Sequence, residues 1–298
     1  MKKDIEKVVE KAAVLTEALP YIRDFHDKIV VVKLGRSVLK DKDLVDSVLD
    51  DIVLLKLIGA KPVIVHSGSD EINRWLKNIG KEIEFVDGKR VTDEQTMEIV
   101  EMVLGKINKD IVQELSKRQT KAVGICGKDS DTIIARAKTL EGTDLGFFGE
   151  VVSINTELVS EMIERGFTPV IASIGVSKDY KAYNITADDV ATEVAKALKA
   201  EKVVLLSTEE GIDTSLNAML PVTEAKYLLN NVNEQMSLKL RSAIDAVENG
   251  VKRAHIVFGG IKHGLLLELF TVYGVGTAVV GDDITLYNHE SEYRGKRR

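Results

Sequence analysis

Lys28-Ile29-Val30-Val31-Val32-Lys33-Leu34-Gly35 and, further on, Lys61-Pro62-Val63-Ile64-Val65-His66 with Ser67-Gly68-Ser69 behind it decide the fold class. Both are short β-branched runs that end at a glycine-bearing turn. Neither alternates polar with apolar residues, as a strand wet on one face would, so both read as strands covered on two faces. Leu44 to Ile58 and Asp70 to Ile79 carry their apolar residues at helical spacing. Strand, glycine turn and helix, repeated, is the rhythm of a parallel sheet with helices on both sides.

The same rhythm runs outward to both ends. Glu94 to Arg118 reads as a long helix, with Thr92 or Asp93 as its N-cap. Lys121 to Ile125 reads as a strand, and Thr132 to Ile154, with Gly142, Gly146 and Gly149, as hairpins. Thr168 to Ile174 is a buried strand. Helix Ala187 to Leu198, strand Lys202 to Leu206, helix Leu238 to Asn249, strand Ala254 to Phe258 and helix Leu265 to Phe270 complete the alternation. No internal repeat or Pro/Ser-rich linker divides the chain, so one continuous αβα sandwich with two lobes at most is expected. Ahead of it, Ile5, Val8, Val9, Ala12, Leu15 and Leu19 recur at helical spacing from Lys3 towards His26. Pro20 is expected to end or kink that helix. It has no sheet of its own to cover, so it would cover the domain or dock on another subunit.

At 298 residues, 44% apolar and 30% charged, the chain has the balance of a globular protein with a substantial core. The formal charge of −6 argues against a nucleic-acid partner, and the basic end Tyr293 to Arg298 reads as a solvated tail. The lone Cys126 excludes an internal disulfide and fits a reducing compartment. Its place in the run Ala122 to Cys126 suggests a small buried hydrophobe rather than a nucleophile. Met1-Lys2-Lys3-Asp4 does not open a leader, and no apolar run reaches bilayer length, so a cytoplasmic location with no membrane contact is expected.

In open parallel sheets ligands bind beyond the carboxyl ends of the strands. Those ends carry Gly35-Arg36-Ser37, Ser67-Gly68-Ser69, Gly175 and Gly259-Gly260, turns in which backbone N–H groups suit an anion. Neither GxxxxGK[ST] nor GxGxxG is present. Taken singly, each candidate side chain also has a plain structural reading. Lys33 at a strand end more often snorkels to solvent than enters a crevice. Asp188 suits an N-cap or a first helical turn, and Arg90 in a loop is undecided. His66 is more often a hydrogen-bonded structural residue than a base. No His, Cys, Asp or Glu set has metal-ligand spacing, and no Ser/His/Asp set stands out, so no protein metal site is expected.

Order and spacing add what single motifs lack. Gly88-Lys89-Arg90-Val91-Thr92-Asp93 leads into Thr96 to Leu104 and Ile107-Asn108-Lys109. Ala122 to Asp129, Asp144-Leu145-Gly146-Phe147, Tyr183-Asn184-Ile185 with Ala187-Asp188, His263 to Phe270 and Gly274 to Thr277 follow. Together they resemble the N-acetylglutamate kinases of the amino-acid kinase family, from about Leu19 to Val279. The resemblance implies an α/β fold, an αβα sandwich around a mainly parallel sheet. It divides the chain into an N-terminal oligomerisation helix (1–26), a kinase domain (27–280) and a tail (281–298). The N-lobe of that domain would be the substrate side and the C-lobe the nucleotide side.

The implied reaction moves the γ-phosphoryl of ATP to the side-chain carboxylate of N-acetyl-L-glutamate, with Mg2+ held mainly through the nucleotide. Lys33 and Lys239 would neutralise the phosphoryl group, and Asp188 would hold both lysines. Arg90, Asn184, Ser67 and Gly68 would bind substrate; Gly35, Arg36, Ser207, Glu209 and Gly211 would bind nucleotide. Arginine is the implied inhibitor, and the partner a second copy of the chain, as a dimer or as a hexamer joined through the N-terminal helix. Four stretches depart from the family pattern. Lys33-Leu34-Gly35-Arg36 stands for Lys-x-Gly-Gly, His66-Ser67-Gly68-Ser69 for His-Gly-Gly-Gly, Ser207 to Gly211 for Thr-Asp-Val-x-Gly, and Glu234-Gln235 for Gly-Gly. A catalytically impaired homologue that binds arginine or acetylglutamate as a regulatory protein is therefore the alternative reading. A kinase for a carrier-linked aminoadipate is a third, disfavoured because Arg90 and Asn184 suit a free α-carboxylate.

Overall fold

The computed structural model describes residues 16, 18–140, 142–208, 212, 219–271, 274–283 and 286–287. Strands β1 (Ile29–Leu34) and β2 (Lys61–His66) lie side by side and parallel, Val31 opposite Val63. Alternate residues of each strand enter different cores. Val31, Val63 and Val65 face one apolar layer; Val30, Val32, Leu34 and Ile64 face the other. This two-sided burial is why the runs show no polar alternation. Helix α1 (Leu19–Phe25) leads into β1; α2 (Arg36–Leu39) and α3 (Lys42–Leu57) separate β1 from β2, and α4 (Ser69–Asn78) follows β2.

The first layer is covered by α7 (Ala187–Ala197) and α9 (Glu234–Glu248), the second by α1, α3 and α10 (Gly264–Phe270). A short hairpin of β3 (Phe85–Val86) and β4 (Lys89–Arg90) precedes α5 (Glu94–Lys117). β5 (Ala122–Ile125), β8 (Thr168–Ala172), β11 (Lys202–Ser207), β12 (Met219–Pro221), β13 (Arg253–Phe258) and β14 (Gly276–Val280) join the sheet in the order β12-β14-β13-β11-β1-β2-β8-β5. β14 runs antiparallel to β13, and β12 parallel to β14; the other pairs are parallel.

The hairpin expected between Thr132 and Ile154 forms as β6 (Ile133–Leu140) and β7 (Thr143–Ile154). With β9 (Ile174–Val176) and β10 (Ala182–Asn184) it closes a small barrel. The run read as one strand from Thr168 to Ile174 therefore divides at Ser173 between two sheets. Gly175 permits this, because a Cβ there would lie 2.6 Å from both the Ala135 Cβ and the Ile185 Cδ1. Helix α6 (Glu157–Glu164), helix α8 (Val222–Leu228) and strands β9, β10, β12 and β14 are not anticipated by the sequence reading.

Of the expected N-terminal helix, the described residues show α1. Pro20 sits in the first turn of this helix, where its missing N–H breaks no hydrogen bond; whether it also ends a helix before it lies outside the described residues. Tyr21 and Phe25 stack against Phe270, with ring centroids 5.8 and 5.4 Å apart, so α1 covers its own domain. Residues 1–15, 17 and 288–298, which hold most of the expected helix and tail, lie outside the described residues. Among those described, no helix is long and apolar enough to cross a membrane.

Candidate functional site

Lys33 follows Val31 by two positions, so its side chain leaves β1 on the face covered by α7 and α9. It lies at the carboxyl end of the strand, where the apolar layer stops. Only 6% of the residue is exposed. Its Nζ lies 2.7 Å from Asp188 Oδ1, and Lys239 Nζ lies 3.0 Å from Asp188 Oδ2. The snorkelling reading of Lys33 is thereby overturned. Asp188 is not an N-cap, a position held by Thr186; it sits in the first turn of α7, where the helix dipole favours a carboxylate. Lys239 is carried by α9, whose cap, Asn233, accepts the Met236 N–H. Three elements thus bring one carboxylate between two ammonium groups.

Burial by itself would raise the Asp188 carboxyl, but the two ammonium groups outweigh it and hold the group below the usual carboxylate range. Burial, and then repulsion from Lys239, push Lys33 down from its ordinary value against the attraction of Asp188. The neighbouring Asp189 also lines the cavity, and burial pushes it up to about 6. Sequence reasoning passed over Asp189, although an acidic doublet at a helix start was visible.

A cavity of about 610 Å³ opens over this centre. Lys33, Arg36, Ser67, Gly68, Arg90, Asn184, Asp188 and Lys239 all line it. Ser207 is buried at the end of β11 and Thr208 lines the cavity instead. Glu209 and Gly211 lie outside the described residues. Gly35 is required by space: a Cβ there would stand 2.7 Å from Lys33 Nζ and 2.8 Å from the Leu206 carbonyl oxygen. Gly68 likewise leaves room for Leu104 and Ile107, at 2.7 and 2.8 Å from its would-be Cβ.

Arg90 ends the β3–β4 hairpin, whose turn places Asp87 and Gly88 at positive φ, the pattern of a tight two-residue loop. Its guanidinium lies 4.8 Å over the Phe85 ring, and burial followed by repulsion from Arg36 pushes its pKa down to about 10. Nη1 of Arg90 is buried with no hydrogen-bond partner. Thr92 donates to the Arg90 carbonyl oxygen and accepts from Asn184 Nδ2 at 3.4 Å, which ties the two expected substrate residues together. Phe85 was not singled out from the sequence, and Thr92 only as a candidate helix cap; a ring beside a charge in a loop gives no periodic signal.

His66 is the structural residue it was expected to be. Asn108 Nδ2 donates to its Nε2 at 3.1 Å, which leaves Nδ1 to donate to the Ser67 carbonyl oxygen at 3.3 Å. Burial pushes its pKa down to about 4, so it is neutral at physiological pH. The same Asn108 amide serves the Val170 carbonyl oxygen at 2.9 Å. Asn108→Ala should therefore destabilise the protein by about 2–3 kcal/mol by stranding buried acceptors. Urea unfolding checks this, and an unchanged midpoint would contradict it. Cys126 is half-buried against a smaller apolar cluster that holds Ile72, Met97 and Ile174, and burial raises its thiol pKa, as suits an unreactive side chain.

The amino acid kinase family profile matches residues 28–257. Acetylglutamate kinase from Caldanaerobacter subterraneus subsp. tengcongensis is 48% identical over 278 residues, which cover 90% of this chain and 93% of that protein. The solved N-acetylglutamate synthase from Neisseria gonorrhoeae, complexed with coenzyme A and N-acetyl-glutamate, aligns with a TM-score of 0.82 at 26% identity over 92% of this chain. The same synthase complexed with coenzyme A and L-arginine aligns with a TM-score of 0.79 at 25% identity over 91% of this chain. This chain spans 64% and 65% of those two synthase chains, less than two thirds of each.

Proposed function

The chain belongs to the amino acid kinase family, and on that premise we propose that it transfers the γ-phosphoryl group of ATP to the side-chain carboxylate of N-acetyl-L-glutamate, a phosphotransferase step of arginine biosynthesis. The observation that carries the reading is the buried Lys33–Asp188–Lys239 bridge at the end of β1. A carboxylate oxygen of the substrate attacks the γ-phosphorus as the bond from phosphorus to the ADP oxygen breaks, and the electron pair leaves with ADP. The charge on the transferring oxygens must be met by fixed cations, since the protein forms no bond to the phosphoryl group. Two ammonium groups against one carboxylate leave one net positive charge, held in place before substrate arrives.

Arg90 lines the same cavity and has an unpartnered Nη1 for the α-carboxylate, and Thr92 ties Asn184 to it. Ser67 and Gly68 border the same space, and Gly35, Arg36, Ser207, Glu209 and Gly211 belong to the nucleotide side in this reading. Mg2+ enters with the phosphates of the nucleotide. Asp188, already held by two lysines, supports that assignment.

The test is to supply MgATP and N-acetyl-L-glutamate and trap the acyl phosphate as its hydroxamate with hydroxylamine. Hydroxamate that needs both substrates is the expected result; none at micromolar protein, with acetylglutamate still binding, would favour the regulatory reading. Arginine as inhibitor, a homo-oligomer joined through the segment 1–26 and a cytoplasmic location belong to the same proposal. The N-acetylglutamate synthase complexed with L-arginine supports the first of these. Arginine titrated into the assay is expected to lower the rate.

A further inference from the structure

Arg36 opens the turn after β1, three residues beyond Lys33, and its side chain stands half-exposed on the wall of the same cavity. Its Nε lies 2.9 Å from Oδ1 of Asp70, in the first turn of α4. The contact joins the start of α2, after β1, to the start of α4, after β2, and Arg36 lines the same cavity as Lys33. Both side chains are about half exposed, 51% and 48%, and exposed ion pairs are weak. A phosphoryl group with two or three charged oxygens is a stronger acceptor for a planar guanidinium than one wet carboxylate.

A second observation points the same way. Arg36 lies close enough to Arg90 for its charge to disfavour that of Arg90, so two guanidinium groups and the Lys33–Lys239 pair share one cavity. Acidic side chains such as Asp189 and Glu234 line the cavity too, but the two guanidinium groups suit two anionic groups: the carboxylate partner of Arg90 and a separate, multiply charged one.

We propose that Arg36 is a further phosphoryl-contacting residue, held at rest by Asp70 and transferred to the γ-phosphoryl oxygens when nucleotide binds. The inference rests on the kinase reading above. In the step it serves, the substrate carboxylate oxygen forms its bond to phosphorus while the bond to the ADP oxygen breaks. The electron pair departs with ADP, and no proton moves. Arg36 meets the charge that spreads over the equatorial oxygens in between. Lys33 and Lys239 contact it from the strand and helix side, Arg36 from the half-exposed wall.

Arg36→Ala, Arg36→Lys and Asp70→Asn, each in the full chain, test this. Arg36→Ala is expected to lower kcat by about 10²-fold, the loss typical of one electrostatic contact made in the transition state. The KM for N-acetyl-L-glutamate should stay near the wild-type value. Arg36→Lys should recover only part, because an ammonium lacks the planar fork. Binding of ADP with aluminium fluoride and N-acetyl-L-glutamate, which imitates the transferring phosphoryl group, should weaken in Arg36→Ala while binding of ADP alone does not. Asp70→Asn should tighten that same complex a few-fold by removing the competing carboxylate. Equal weakening of ADP and of the fluoride complex would reduce Arg36 to a loop-holding role and overturn the proposal. So would an unchanged kcat in Arg36→Ala while the wild type turns over. No turnover by the wild type overturns the kinase reading and this inference together.

Discussion

Asp188→Asn should lower kcat by about 10²–10³-fold, the range seen when one fixed charge that a reaction depends on is removed. The amide keeps the shape of the carboxylate but cannot neutralise Lys33 and Lys239, whose Nζ atoms lie 2.7 and 3.0 Å from its oxygens. In the wild type only the attraction of Asp188 opposes the burial and the Lys239 repulsion that push Lys33 down. Without it, Lys33 holds its proton less tightly, and the population of charged Lys33 falls as pH rises. The residual rate of the variant should therefore increase towards lower pH, where Lys33 is reprotonated. Stability should fall too, by about 3–5 kcal/mol, as when one member of a buried ion pair is removed. The sign with pH follows from the depressed carboxyl of Asp188. Its contribution to wild-type stability is complete above the ordinary carboxylate range and is lost as pH falls through its lowered folded value. The acid limb of a stability curve should flatten in the variant. A wild-type kcat in Asp188→Asn would remove the bridge from the mechanism.

That bridge shows how far the sequence alone can be read. β1 and β2 were legible because two-sided burial leaves an unbroken β-branched run, and α5 because Asp93 accepts the Thr96 N–H at its start, as a capping residue should. Lys33 and Asp188 were each ambiguous. A lysine at a strand end and an acid in a first helical turn are ordinary features, and nothing local says that they meet. The resemblance to the N-acetylglutamate kinases, carried by the order and spacing of several motifs, decided between the readings. What stayed illegible depends on contacts without a period. Ser173 divides one apolar run between two sheets. The Arg36–Asp70 pair links turns that are far apart in sequence, and the Phe85 ring under Arg90 sits in a loop. Helices α6 and α8 and the edge strand β12 are short, and short elements carry too few repeats to reveal their spacing.

Arg90→Met should separate binding from stability in opposite directions. Charge-assisted hydrogen bonds contribute about 1.5–3 kcal/mol each, and a carboxylate gripped by a guanidinium fork makes two. Losing them should raise the KM for N-acetyl-L-glutamate by about 10²-fold or more, with a smaller change in kcat, because this carboxylate does not react. The free protein should meanwhile become harder to unfold. Arg90 is 5% exposed, its Nη1 has no partner, and its pKa is down at about 10 because burial disfavours the charged form. A buried cation whose folded value is lowered opposes folding, and arginine keeps its charge across the working pH range, so the cost is present throughout it. Methionine of similar length would keep its packing on Phe85 and remove the buried charge. Ligand reverses the ranking. N-acetyl-L-glutamate at a hundred times its Kd should stabilise the wild type by about 2.7 kcal/mol and leave the variant almost unmoved. Thermal unfolding with and without the ligand reads both effects from one pair of proteins. A variant with a lower midpoint than the wild type and a full ligand shift would mean that Arg90 is a structural residue and that another group holds the α-carboxylate.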